Sequence, residues 1–340
     1  MPMRIRQPSK SDAKRTQSAR DGLTIQRRRC GSGFSYHGKN GRRISDPRIV
    51  KRLARLAMPP AYVDVIYAAD ALAPLQAMGR DAAGRWQYRY HPEREKQRER
   101  RKTRHIVRLI GALPRIRRHV TMTLSTRKPT REFAMAAAVA LIDATGIRSG
   151  SSRHARLSGA RGAVTLLKSS LQISGRSITL KFKAKGGKQV VKEVHAPRLV
   201  PAFKVLQRLP GRRLFAYEDA GEIRTIRVRD VNAFLCGVAS CKVSLKDFRT
   251  LRASMQVAKA LARTERAESQ RTRKRQMKEA IQAAADDLAN TVAICRKSYV
   301  HEAVIDAFEN GTLNGHGKSS NGKPAPAQQI LADVVGAHGR

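Results

Sequence analysis

Acidic residues are scarce. Only 26 Asp and Glu stand against 69 Lys and Arg in 340 residues, a formal net charge of +43. A surface that basic calls for a polyanionic partner, and nucleic acid is the default. Cysteine is also rare: Cys30, Cys236, Cys241 and Cys295 form no C-x-x-C pair, which argues against a zinc site and for reduced thiols in a reducing compartment. No stretch approaches the roughly 20 apolar residues of a membrane helix. The first 20 residues lack an apolar run, so they read as a disordered basic arm and not a secretory signal.

Several catalytic signatures are missing as well. There is no D-x-D to hold magnesium and no H-E-x-x-H. Gly311–Ser319 has some of the residues of a phosphate-binding loop at the wrong spacing. Any chemistry would therefore act on phosphate without metal, nucleotide or other cofactor.

The basic residues that are present do not form one tail. Arg27–Arg29, Arg42–Arg43, Arg98–Arg104, Arg115–Arg118 and Arg271–Lys278 are spread through segments rich in core-type residues, which points to a folded basic surface. The expected fold class is α+β. Residues 21–92 read as a small β-rich domain punctuated by glycine, with one helix over Pro47–Leu56. The charged stretch His91–Arg104 reads as a linker into a helix carrying Ile106, Leu109, Ile110 and Leu113.

Residues 93–310 read as a larger, mainly helical domain with a small sheet. Helices are expected over Arg131–Thr145, Pro201–Leu209, Val228–Leu235, Ser244–Leu261 and Arg263–Ala289, with Ser244 and Asp247 resembling a capping box. Strands are expected over Val164–Leu167, Ser177–Ala184 and Gln189–Val194, the last two joined at Lys185-Gly186-Gly187-Lys188. From 311 to 340 the Gly, Ser, Asn and Pro content predicts a flexible tail.

Metal-free transfer of a phosphodiester needs a nucleophile, cations for the non-bridging oxygens, an acid for the leaving 5′-oxygen, and in-line geometry. Tyr299, preceded by Arg296 and Lys297, is a candidate nucleophile. Taken alone it is an ordinary tyrosine near basic residues. Arg148, Lys185 at the hairpin tip, Arg249 in K-x-x-R and Asn290 are each equally plain in isolation.

Their order and spacing are not plain. Arg148, hairpin Lys185, Lys246-x-x-Arg249, Asn290 and Tyr299 nine residues later resemble the type IB DNA topoisomerase family, in its compact bacterial and poxvirus-like branch. Asp21–Tyr36, Pro59–Tyr62, Gly79–Tyr90 and Leu209–Phe215 resemble the bacterial branch too, so the likeness spans about residues 21 to 310. It implies that Tyr299 attacks the scissile phosphate, Arg148 and Arg249 clamp its oxygens, Lys185 protonates the 5′-oxygen, and Asn290 stands where many relatives have His. It also implies DNA contacts from Arg85, Gln87, Tyr88 and Tyr90, helped by Arg80. The enzyme would be a monomer closing as a clamp on duplex DNA, cytoplasmic and nucleoid-associated, with neither ATP nor metal.

The sequence departs from that pattern at Val292, Leu251, Ala253 and the basic, Ser-rich Ser151–Ser158. Two other readings stay open. A tyrosine recombinase shares the Arg, Lys and Tyr roles but usually has H-x-x-R where Lys246 stands, and a non-catalytic basic DNA-binding protein would need charge alone.

Overall fold

The computed structural model describes residues 22–316 and 325–338 and divides into two units, Met1–Arg100 and Arg101–Arg340. The arm expected over residues 1–20 lies outside the described residues.

The first unit is a five-stranded antiparallel sheet in the order β2-β1-β3-β4-β5, from β1 (Leu23–Cys30), β2 (Gly33–His37), β3 (Val63–Ala68), β4 (Leu75–Arg80) and β5 (Trp86–Tyr90). Strand alternation sends Tyr67 and its partner Ala77 to one side, where they meet Leu53 of helix α1 (Pro47–Arg55), and Ile66 and Met78 to the other, with Trp86. Asp46 caps α1 by accepting from the Arg48 amide at 2.8 Å, and Pro47 occupies the first turn, where its missing N–H costs nothing.

Helix α2 (Pro92–Ser125) begins where a linker is expected. Glu, Arg, Lys and Gln fill its first turns, and all are strong helix formers. Its apolar stripe Ile106, Leu109, Leu113 and Ile116 enters the main core.

That core centres on α3 (Arg131–Thr145), buried nearly all round because its many alanines let neighbours approach closely. Around it lie α4 (Ser152–Ser158), a three-stranded sheet β6-β7-β8 (Leu171–Ser174, Ser177–Lys183, Gln189–His195), α5 (Val200–Arg208), the β9–β10 hairpin (Ala216–Asp219, Glu222–Thr225) and α6 (Val228–Ala239). Then follow α7 (Leu245–Ala262), α8 (Gln270–Asp287), α9 (Val292–Ser298), α10 (Glu302–Glu309) and α11 (Ala327–His338). Ser244 and Asp247 form the expected capping box at the start of α7, the Asp247 carboxylate accepting from the Ser244 amide at 2.7 Å.

Three further expectations need correction. Val164–Leu167 is not a strand: Ala163–Thr165 is a 3₁₀ turn whose Ala163 and Val164 amides donate to Arg148 O and Ser149 O. Helix α8 starts at Gln270, not Arg263, because Ser269 caps it by accepting from the Thr272 amide at 3.3 Å. The end of the expected tail is helical. Its final segment forms α11, whose Ile330, Leu331, Val334 and Val335 are buried in the main core beside α7 and α10. Turn-forming composition ahead of this segment masks its short apolar period.

Candidate active site

The site is built on the ends of helices. Gly146, with φ of 64°, closes α3 in the left-handed conformation, and a Cβ there would meet Arg252 Cδ at 2.6 Å. The chain then turns out through Arg148. Arg148 O accepts from the Ala163 amide at 2.8 Å and Ser149 O from the Val164 amide at 2.9 Å. This close passage needs Gly162, since a Cβ there would lie 2.3 Å from Arg148 O.

Arg249 sits in the second turn of α7 with only 3% of its surface exposed. Its terminal nitrogens donate to Gly146 O and, at 3.2 Å, to Leu288 O. Those carbonyls end α3 and follow α8, so they hold the guanidinium in place. Asn290, 7% exposed, follows the end of α8, and its Oδ1 accepts from Arg148. Thr291 then caps α9, and Tyr299 closes it. The Tyr299 carbonyl accepts from Ser254 Oγ on α7 at 3.0 Å, which fixes the segment.

The structure thus gathers Arg148, Arg249, Asn290 and Tyr299. The Arg249 guanidinium lies 4.8 Å from the centroid of the Tyr299 ring. Burial works to raise the Tyr299 pKa, but the charges of Arg249, Arg148 and Lys246 outweigh it and bring the phenol below its ordinary value. Burial also lowers the Arg249 pKa, and only Tyr299 and Cys295 oppose that. Two buried donors, Arg249 Nε and Asn290 Nδ2, find no acceptor among the described residues. Such groups are costly unless a ligand completes them, and an unpaired Arg249 Nε with the Asn290 amide beside Arg148 suits the oxygens of an anion.

A small cleft adjoins Arg148 and Arg249, lined also by Arg161, Lys192 and Asp287 among others. Lys185 is not gathered with the rest. It is exposed on the β7–β8 turn, where Gly186 and Gly187 both have φ of 81°. Its neighbour Ala184 lines the cleft, so the hairpin forms one wall. Among the described residues, no group of three or more His, Cys, Asp or Glu could hold a metal ion.

Residues 91–318 match the model of the eukaryotic DNA topoisomerase I catalytic core, and residues 33–81 that of the bacterial DNA topoisomerase IB N-terminal domain. The chain belongs to the type IB DNA topoisomerase family. It is similar to the DNA topoisomerase 1B of Acanthamoeba polyphaga mimivirus, 27% identical over 294 residues that cover 84% of this chain and 88% of the viral one. These matches place it in the bacterial and viral-like branch and make it an isomerase that acts on DNA.

In the first unit of this topoisomerase the other candidate residues fall into three groups. Arg85 and Gln87 both donate to Asp81 Oδ2, at 2.9 and 2.8 Å. These hydrogen bonds, led by Arg85, hold the Asp81 carboxyl down to about 2. Tyr88 and Tyr90 are exposed and stacked, their centroids 6.2 Å apart. Arg80 lies over Trp86 at 4.6 Å, with its Nε 3.2 Å from Asp64.

Sequence reasoning missed a cluster behind the site, formed by Asp287, Lys192 and Arg252. The Asp287 carboxylate accepts from Arg252 at 2.6 and 3.0 Å and pairs with Lys192 at 3.0 Å. These residues lie far apart in the chain and carry no motif. Arg252, one turn after Arg249 on the same helix, was the only available hint.

Proposed function

We propose that this topoisomerase relaxes supercoiled duplex DNA by cutting one strand with Tyr299 and resealing it, with neither ATP nor metal. The Tyr299 oxygen attacks the scissile phosphorus and the bond to the 5′-oxygen breaks. The phenol gives up its proton, and Lys185 supplies one to the leaving oxygen. The product is a 3′-phosphotyrosine, which conserves the bond energy. The free 5′ end rotates, then attacks the phosphotyrosine and restores the strand.

Arg148 and Arg249 hold the non-bridging oxygens, for which a planar, permanently charged fork is suited. Asn290 donates its amide N–H to the same phosphate. The observation that carries this reading is the Arg249 guanidinium against the Tyr299 ring, its Nε and the nearby Asn290 Nδ2 both buried with no acceptor among the described residues. On this reading Lys185 reaches the 5′-oxygen when DNA fills the cleft, which its exposed, glycine-flanked turn allows.

Arg80, Arg85, Gln87, Tyr88 and Tyr90 contact the duplex from the first unit, and a single copy closes on DNA as a clamp. The setting is the nucleoid of the cytoplasm.

The test uses supercoiled plasmid in EDTA without ATP. The wild type relaxes it and a denaturant trap leaves protein on the 3′ end. Relaxation that persists in Tyr299→Phe overturns the assignment. Lys185→Ala slows cleavage while DNA affinity stays nearly intact, because one cation among dozens changes the salt slope by about one at most.

A further inference from the structure

We propose that Asp287 is a positioning residue for strand cleavage: with Lys192 and Arg252 it binds the Lys185 hairpin, the Arg148 turn and the helix end before Asn290 into one rigid frame. The inference rests on the reading of Tyr299 as nucleophile.

Each tie is explicit. Lys192 lies on β8, the strand that returns from the Lys185 turn. Its ammonium donates to Thr145 O at the end of α3 and to Asp287 O at 2.7 Å, and it pairs with the Asp287 carboxylate at 3.0 Å. Its three protons are thereby committed, so it is not a second proton donor for the leaving group. Arg252 grips the same carboxylate with two nitrogens and places a third on Ala144 O at 2.9 Å. Arg249, one turn earlier on α7, completes the row by donating to Gly146 O. Three successive carbonyls at the end of α3 are thus each held by a cation, and one carboxylate joins two of those cations.

Charge explains why a carboxylate can stand there. Asp287 lines the cleft proposed for phosphate, where a lone anion would repel the substrate. Lys192 and Arg252 together leave the cluster net positive. The side chains of Asp287 and Lys192 are only 18% and 14% exposed, so this is not a solvent-screened surface pair. Without the carboxylate, the two cations repel each other, and Lys192 and Arg252 keep only their separate main-chain bonds to the helix ends, with nothing to join them. Cleavage should then slow, whereas DNA affinity should not fall, because a negative charge has been removed from a surface that binds a polyanion.

The experiment measures single-turnover formation of the covalent adduct on a nicked duplex by wild type, Asp287→Asn and Asp287→Glu. Non-covalent affinity for the same duplex is measured in the Tyr299→Phe background. Asp287→Glu keeps the charge but shifts the carboxylate, and it carries the test if Asp287→Asn does not fold. The expected result is cleavage slowed tenfold or more in each folded variant, with affinity unchanged or tighter. Cleavage at the wild-type rate in either folded variant overturns the proposal, as does a parallel loss of rate and affinity. Failure of the wild type to form any adduct is a separate outcome, which overturns the Tyr299 reading and this inference with it.

Discussion

The guanidinium of Arg249 lies 4.8 Å from the centroid of the Tyr299 ring, and both residues are clamped through main-chain atoms. The positive charge favours the phenolate, so Tyr299 ionises below the ordinary tyrosine value. At any given pH beneath that value more phenolate is present than in a free tyrosine. Single-turnover cleavage should therefore rise with pH and level off below about 10. Arg249→Ala should slow it by about 10²–10³ and move the midpoint upward. A midpoint that stays in place without Arg249 contradicts the electrostatic account.

Gly162→Ala should be severe for its size. The added Cβ meets Arg148 O at 2.3 Å and Gly150 N at 2.5 Å, and both are backbone atoms that cannot swing away. We expect a loss of about 1–3 kcal/mol in denaturant unfolding, together with slower cleavage as Arg148 is displaced. Wild-type values for both would show that the turn is looser than described.

Val292→Pro should stabilise. Val292 is the first residue of α9, just after the Thr291 cap, where an N–H has no helical partner. Proline there restricts the unfolded chain and should add about 0.4–1 kcal/mol. Chemical denaturation measures the gain, and plasmid relaxation should be retained.

Leu331→Ala tests whether α11 belongs to the core. Leu331 has no exposed surface. Its truncation should cost about 2–5 kcal/mol in urea unfolding, whereas a change at a flexible tail would cost nothing measurable.

Arg85→Ala should reduce the slope of log affinity against log salt by about one if Arg85 meets a phosphate. The Asp81 carboxyl that orients Arg85 and Gln87 is held down at about 2, so it stays ionised throughout the neutral range. Asp81→Ala should therefore disorder both side chains and weaken binding, with some loss of stability because Asp81 Oδ1 also accepts from the Ala83 and Arg85 amides at 3.0 Å. An unchanged salt slope in Arg85→Ala would remove that residue from the interface.

Arg148, Lys185, Arg249, Asn290 and Tyr299 are legible in the sequence because their order and spacing resemble the family's pattern, each being plain alone. The fold brings four of them together and leaves Lys185 exposed on its turn. The α+β class was equally legible, from short glycine-punctuated strands followed by long apolar helical periods. Element ends were less so. Helix α8 starts late because Ser269 supplies a cap, and 163–165 is a turn because the Arg148 segment takes the Ala163 and Val164 amides. Helix α11 was hidden by the composition around it.

Composition and motif order therefore pointed to a DNA-acting family and to its candidate residues, since these depend on which residues are present and in what sequence. Which charges would be buried, and against what, was settled by folding. Asp287, Lys192 and Arg252 come from a helix end, a strand and a second helix, with no spacing rule to connect them. Their pairing is strong because long-range packing removes water from around them, and no local stretch of sequence records how much water will be left.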